Sequence, residues 1–116
     1  GIIGRGEGTR NVKVGNLVIG SIICADGNTK AAWDTFRADP PDIVFFQNNR
    51  GAVDEVRNQD FAREIGRPMI ATNRVGFSYH HFQAGGTRII RRDGSIAAAA
   101  NLDGREQIIY ADIADL

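Results

Sequence analysis

Three nearly continuous apolar runs constrain the fold of this chain more than any other feature. The first, LVIGSIIC at 17–24, is rich in β-branched residues and has no alternation of polar and apolar positions. That composition is typical of a strand that is buried on both faces. DIVFFQNN at 42–49 and PMIATNRVG at 68–76 are the second and third such segments. The sequence therefore predicts three buried strands of a parallel sheet.

Two helices are predicted between these strands. The segment TKAAWDTFRAD at 29–39 places its apolar residues on one helical face, and Asn28 or Thr29 can cap its first turn. The segment AVDEVRNQDFAREIG at 52–66 predicts a second helix that ends at Gly66. The order of elements up to this point is β-α-β-α-β.

The end of the chain predicts antiparallel strands. Asp93-Gly94 lies between two extended runs and is the signal of a two-residue hairpin. EQIIYADI at 106–113 predicts one more strand. The fold class is therefore α/β, with a mixed, mainly parallel sheet and a C-terminal hairpin.

The handedness of the chain connections predicts a sheet with one open face. Because β-α-β crossovers are almost always right-handed, both helices fall on the same face. The predicted strands are nonetheless apolar on both faces, and no remaining segment predicts a helix that could cover the second one. An open apolar face of that size is unusual in a monomer. We therefore expect a cover, either a missing N-terminal half of the same domain or a partner chain.

Composition narrows the classes of function. The 116 residues are one domain's length. The 14 basic and 14 acidic side chains cancel, so no net charge attracts the protein to nucleic acid or to a membrane surface. The sole cysteine, Cys24, fits a reducing compartment, so we expect a cytoplasmic protein. The adjacent His80 and His81 lack metal-site spacing and are expected on a surface or loop. We expect no metal and no cofactor.

Polar residues follow the three predicted parallel strands. They are Cys24-Ala25-Asp26, Gln47-Asn48-Asn49 and Thr72-Asn73-Arg74. The carboxyl ends of parallel strands meet at one edge of the sheet, where ligands collect. The pattern therefore predicts a shared crevice.

Cys24 is the candidate nucleophile in that crevice. At a junction of strand and helix, free backbone N–H groups and the helix dipole favour a thiolate. The N–H groups of Ala25 and Asp26 could face an oxyanion on a substrate bonded to sulfur. The alternative is that Cys24 is a small buried apolar residue.

The segment IGSIICADGNTKAAWDTFRADPPDIVFF resembles the nucleophile segment of the carbon–nitrogen hydrolase (nitrilase) superfamily. CADGN is most similar to the aliphatic-amidase branch, and ATNRVG and GGTRIIRRDG are similar to later family segments, so the match spans about 15–113. The resemblance implies half of an αββα sandwich, and an enzyme that cleaves an amide or nitrile through a cysteine thioester. Cys24 and Ala25 would be its catalytic groups. Asn48, Asn73 and Arg74 are substrate-binding candidates by position.

The same resemblance implies residues that this chain lacks. The family uses a glutamate base, a lysine and a second glutamate, all upstream of the cysteine, and here Glu7 and Lys13 are in no matching motif. Together with a start that lacks methionine, this predicts that residues 1–116 are one partial domain, the C-terminal half of a hydrolase. We also expect a homo-oligomer.

Other sequence departures support a second class of function. Thr29-Lys30 stands where the family has Pro-Glu, and Gly86-Thr87 stands where it has His-Ser. The alternative to an enzyme is therefore a non-catalytic, degenerate hydrolase module that mediates association or binds a small ligand. A flavodoxin-like regulatory domain is a third possibility, supported only by Asp26.

Overall fold

The computed structural model describes residues 11–51 and 55–116. The elements are β1 Asn11–Val14, β2 Leu17–Ile23, α1 Lys30–Ala38, β3 Ile43–Asn48, α2 Glu55–Ile65, β4 Met69–Asn73, β5 Val75–Ser78, β6 His81–Ala84, β7 Arg88–Ile90 and β8 Ile96–Ala99. Two 3-10 turns, Cys24–Asn28 and Ile113–Asp115, complete the assignment. The predicted start of the second helix at 52–54 lies outside the described residues.

Six of the strands form one mixed sheet. Its order is β1-β2-β3-β4-β7-β8, and β5 and β6 form a separate two-stranded hairpin. Strands β2, β3 and β4 are parallel, whereas β1, β7 and β8 pair antiparallel with their neighbours. The predicted α/β class with a mainly parallel core and an antiparallel end is confirmed.

Both helices pack on one face of this sheet, as the handedness rule predicts. Trp33 and Phe36 of α1 and Phe61 of α2 share a buried cluster with alternate residues of the strands. The Trp33 ring meets Phe46 of β3 edge to face, with centroids 5.4 Å apart. Burial of a large apolar side chain stabilises the fold by roughly 1.5–3 kcal/mol. The helical face therefore holds the main core.

The C-terminal segment covers part of the opposite face. Leu116 is buried there together with Ile43 and Ile89, and Ile109 packs against the same cluster. The backbone N–H and Nε of Arg92 both donate to the Leu116 carbonyl at 3.1 Å. The strand predicted at 106–113 is wrong: the segment pairs with no described strand, and within it only Ile109 packs against the sheet.

The cover is partial. Ile23, at the carboxyl end of β2, keeps 59% of its surface exposed. Ile19, Phe45 and Ile70 on the same face are half-buried. Among the described residues no helix covers this face, as predicted, and the C-terminal segment covers it at Ile43 and Ile89.

The hairpin around Gly94 differs from the predicted two-residue turn. Strands β7 and β8 do pair, but a β-turn over 91–94 closes with the Gly94 N–H donating to the Arg91 carbonyl at 2.9 Å. Gly94 then takes the left-handed conformation, with φ +87°. Gly94 is the last residue of the turn and not one of its two central residues, which is the geometry of a longer hairpin loop.

The helix ends and the third strand need smaller corrections. Thr29 occupies the N-cap of α1, yet its hydroxyl donates to the Asp26 carbonyl at 2.8 Å and caps no helical N–H. Gly66 ends α2 with φ +64°, as predicted, and the Arg67 N–H reaches back to the Ala62 carbonyl. The strand predicted at 68–76 is divided into β4 and the start of the small hairpin.

Among the described residues, neither helix reaches the length and apolarity of a membrane span.

Candidate active site

Cys24 lies at the carboxyl edge of the sheet, immediately after β2. It opens the 3-10 turn Cys24–Asn28, here called the nucleophile turn after the role predicted for Cys24, and its side chain is partly exposed. Its φ of +40° is unusual for a residue that is not glycine, and such a conformation costs about 1–3 kcal/mol. The predicted junction with an α-helix is wrong, because α1 begins only at Lys30.

The nucleophile turn rests on the aromatic core. A Cβ at Gly27 would lie 2.4 Å from Cζ of Phe46, so only glycine lets the turn sit this close to the ring. Trp33 Nε1 donates to the Gly27 carbonyl at 2.6 Å, and Arg57 donates to the same carbonyl. The middle of the turn is therefore fixed by the aromatic core beneath the turn and by Arg57 of α2.

Arg50, in the loop after β3, holds the start and the end of the nucleophile turn. Its Nη2 donates to the Cys24 carbonyl at 2.8 Å and to Asn28 Oδ1 at 3.2 Å. Its guanidinium carbon stands 5.5 Å from the centre of the Phe46 ring, within cation–π range. Sequence reasoning missed this residue, because an arginine after Gln-Asn-Asn has the composition of an ordinary loop.

Asn73, at the end of β4, fixes the backbone of Arg50. Its Oδ1 accepts from the Arg50 N–H at 2.9 Å, and its Nδ2 donates to the Arg50 carbonyl at 3.0 Å and to the Gly85 carbonyl at 2.9 Å. Both amide hydrogens are thus used within the protein. The structure brings Asn73 to the predicted edge and gives its side chain a bracing role there.

Asn48 pairs with Asn73 across the parallel strands β3 and β4. Its Nδ2 donates to the Phe46 carbonyl at 3.2 Å. Its Oδ1 is buried, and no described residue donates a hydrogen bond to it. A buried carbonyl oxygen of this kind is suited to accept from an N–H group.

The other predicted residues are spread around this edge. Ala25 is exposed in the nucleophile turn, and Arg74 is exposed between β4 and β5. Glu7 lies outside the described residues. Lys13 pairs with Val18, which stands six residues before Cys24 in β2 and thus roughly 20 Å away along a strand. Lys13 is therefore no candidate for the catalytic lysine.

The departures from the family pattern at 86 and 87 have a structural reason. Gly86 has φ +81°, and a Cβ there would lie 2.3 Å from Cδ2 of Leu102, so a histidine does not fit this backbone. Thr87 Oγ1 accepts from the Asn73 N–H at 3.1 Å. His80 and His81 are exposed on the β5–β6 hairpin, as predicted.

Fold and site together define an α/β domain with a strained cysteine at the carboxyl edge of a mixed sheet. The model of the family described as "Carbon-nitrogen hydrolase" matches residues 2–115, and the chain belongs to that family. No curated protein sequence is significantly similar to it.

Solved structures have the same fold at low sequence identity. A carbon–nitrogen hydrolase from Helicobacter pylori G27 is 18% identical with a TM-score of 0.75, over 87% of this chain and 42% of its own. A glutamine-dependent NAD+ synthetase from Acinetobacter baumannii is 16% identical with a TM-score of 0.80, over 90% of this chain and 21% of its own. An amidase from Nesterenkonia sp. AN1 with an acetamide moiety on its active-site cysteine is 12% identical with a TM-score of 0.74, over 87% of this chain and 40% of its own. The chain thus spans less than half of each of these proteins.

Proposed function

We propose that this chain carries the nucleophile of a hydrolase that cleaves the carbon–nitrogen bond of an amide, with Cys24 as the attacking group. One observation carries the proposal: the family's cysteine position is occupied by a partly exposed thiol that is held in a strained turn at the carboxyl edge of the sheet. Strained residues of this kind cluster at functional sites. The amidase structure with a modified active-site cysteine supports the same chemistry.

The reaction proceeds in two steps. Cys24 Sγ, as a thiolate, attacks the carbonyl carbon, and the tetrahedral intermediate collapses to a thioester as the C–N bond breaks and the amine leaves with a proton. Water then hydrolyses the thioester and releases the acid and the thiol. The Ala25 N–H donates to the oxyanion in both tetrahedral intermediates.

The polar edge beside Cys24 suits an amide substrate. Asn48, at the end of β3, lies on this edge and is a substrate-side residue by position. Arg74 is a further substrate-side residue by its place after β4. CADGN, at residues 24–28, supports a small aliphatic amide as the substrate class.

The glutamate base and the lysine come from a part of the protein beyond these residues, or from a partner chain. The chain covers about two-fifths of the Helicobacter pylori hydrolase and of the Nesterenkonia amidase, which leaves room for such a segment. The same segment would cover the open part of the sheet around Ile23, which is 59% exposed.

The test uses the complete protein with propionamide as substrate. One equivalent of iodoacetamide should modify Cys24 and abolish turnover, and mass spectrometry of a quenched reaction should detect an acyl adduct on Cys24. The Cys24→Ala variant should lose turnover by several orders of magnitude and form no adduct. Full turnover in Cys24→Ala would refute the proposal.

A further inference from the structure

We propose that Arg50 is a positioning residue for catalysis: its guanidinium orients and polarises the peptide group that joins Cys24 to Ala25. The inference rests on the proposed function, because that peptide carries the N–H assigned to the oxyanion. Arg50 itself contacts neither the substrate nor the sulfur in this scheme. It acts through the backbone.

One peptide unit links the Arg50 contact to the oxyanion donor. The carbonyl of Cys24 and the N–H of Ala25 belong to the same rigid plane, and in a trans peptide they point in opposite directions. Arg50 Nη2 stands 2.8 Å from the Cys24 carbonyl oxygen. Fixing that oxygen therefore aims the Ala25 N–H away from Arg50, toward the opposite side of the turn.

This peptide needs an external restraint. The φ of +40° at Cys24 is unfavourable for an L-residue, and such a conformation persists only when its surroundings hold it. Arg50 is well placed to do so, because its own backbone is braced by Asn73 at 2.9 and 3.0 Å. Its guanidinium also lies within cation–π range of Phe46, whose ring packs directly against Gly27 of the turn.

The charge of Arg50 adds to its geometry. Within the described part of the chain its guanidinium donates to two neutral oxygens, of Cys24 and Asn28. A cation hydrogen-bonded to a peptide carbonyl draws electron density from the amide and makes the N–H of the same unit a stronger donor. That donor would be strengthened where negative charge develops in the transition state, and loss of one such donor costs about 10²–10³-fold in rate.

Arg57 offers a matched comparison within the same turn. It is also an arginine that donates to the nucleophile turn, and the acceptors described for it there are the Gly27 carbonyl and Asn28 Oδ1. Its described hydrogen bonds therefore anchor the later part of the turn, and none of them is to the carbonyl of Cys24. Replacing either arginine by alanine should destabilise the turn, whereas only the replacement of Arg50 should misorient the Ala25 N–H.

The kinetic experiment uses the complete protein and propionamide. Arg50→Ala should lower kcat by about 100-fold with KM changed less than about threefold. Arg50→Lys should recover part of kcat, and added ethylguanidinium should partly rescue Arg50→Ala. Arg57→Ala should lose less than about fivefold. Equal losses of kcat in Arg50→Ala and Arg57→Ala, or a change confined to KM, would overturn the inference.

A spectroscopic readout separates this inference from the proposed function. Cys24-Ala25 is the only Cys-Ala pair in the sequence, so labelling cysteine with 13C and alanine with 15N isolates its peptide signal. We expect Arg50→Ala, and to a smaller extent Arg50→Lys, to move that signal more than Arg57→Ala does. Movement of the signal in an enzyme that never hydrolyses amides would refute the function and leave the positioning role intact. An unmoved signal would refute the positioning role whatever the activity.

Discussion

Several turns of this protein place a residue at positive φ, and two of them do so in opposite ways. The hairpin turn at 91–94 uses Gly94 at φ +87°, and the nucleophile turn uses Cys24 at φ +40°. Glycine adopts such angles without strain, whereas any other L-residue pays a conformational penalty of about 1–2 kcal/mol. The hairpin turn therefore needs little from its surroundings, and the nucleophile turn depends on Trp33, Arg50 and Arg57.

The difference indicates what each turn is for. A turn that only reverses the chain can use glycine, because nothing is required of its side chain. Under the proposed function the nucleophile turn must present a thiol, which glycine cannot supply. The strain at Cys24 is then carried by the contacts of its neighbours, which is the arrangement expected at a functional site.

The largest effect on stability is expected from a side chain added under the nucleophile turn, at Gly27. In Gly27→Ala the new Cβ would meet the Phe46 ring at 2.4 Å, and overpacking of a core costs about 1–3 kcal/mol. Urea unfolding of the complete protein should show that loss, together with reduced kcat. Gly51→Ala is the control, because a Cβ there has nothing within 4 Å. Equal stability of the two variants would contradict the close packing.

A somewhat smaller effect is expected at the hairpin turn. Gly94→Ala introduces a side chain at φ +87° and places a Cβ 3.0 Å from the Gln59 carbonyl. We expect a loss of about 1–2 kcal/mol in the free energy of unfolding, with kcat unchanged because the turn is remote from Cys24. A fall in kcat without a fall in stability would contradict the independence of the two turns.

At Cys24 the usual ranking of alanine and glycine should be reversed. In ordinary positions alanine is the more stabilising residue, since glycine has a more flexible unfolded chain. At φ +40° we expect Cys24→Gly to be more stable than Cys24→Ala by about 1 kcal/mol. Thermal unfolding of both inactive variants measures the difference. A more stable alanine variant would mean that the cysteine carries no strain.

The smallest effect concerns pH and the hairpin turn. Hydrogen bonds from the Ser95 hydroxyl and N–H, at 2.6 and 2.8 Å, lower the pKa of Asp93. Because the folded pKa is depressed, this stabilisation is present above the ordinary pKa of an aspartate, about 3.9, and is lost as the pH falls through the folded value. Asp93→Asn should remove that part of the acid dependence of unfolding. An unchanged acid profile would show that Asp93 does not contribute.

Much of the fold follows from local sequence. The three apolar runs each form a parallel strand, and the right-handed crossover rule places α1 and α2 on one face. The carboxyl edge that gathers Cys24, Asn48 and Asn73 also follows from topology alone. These predictions succeed because burial on both faces and crossover handedness are properties of the segments themselves.

Other features depend on contacts that no local pattern records. The segment at 106–113 has the composition of a strand, yet it pairs with no described strand, and hydrogen bonds of Arg92 to Leu116 hold the end of the chain. The hairpin loop is longer than Asp93-Gly94 indicates, because Gly94 is the last residue of its turn and not a central one.

The sequence by itself determined the β-α-β-α-β order of residues 17–73, the mixed sheet and the place of the single thiol at its edge, since periodicity and chain handedness act over short stretches. Only the tertiary structure decided the strain at Cys24 and the support that Arg50 and Asn73 give it. Those contacts join residues that are 23 and 26 positions apart in the chain, and their side chains meet only after the parallel strands have aligned.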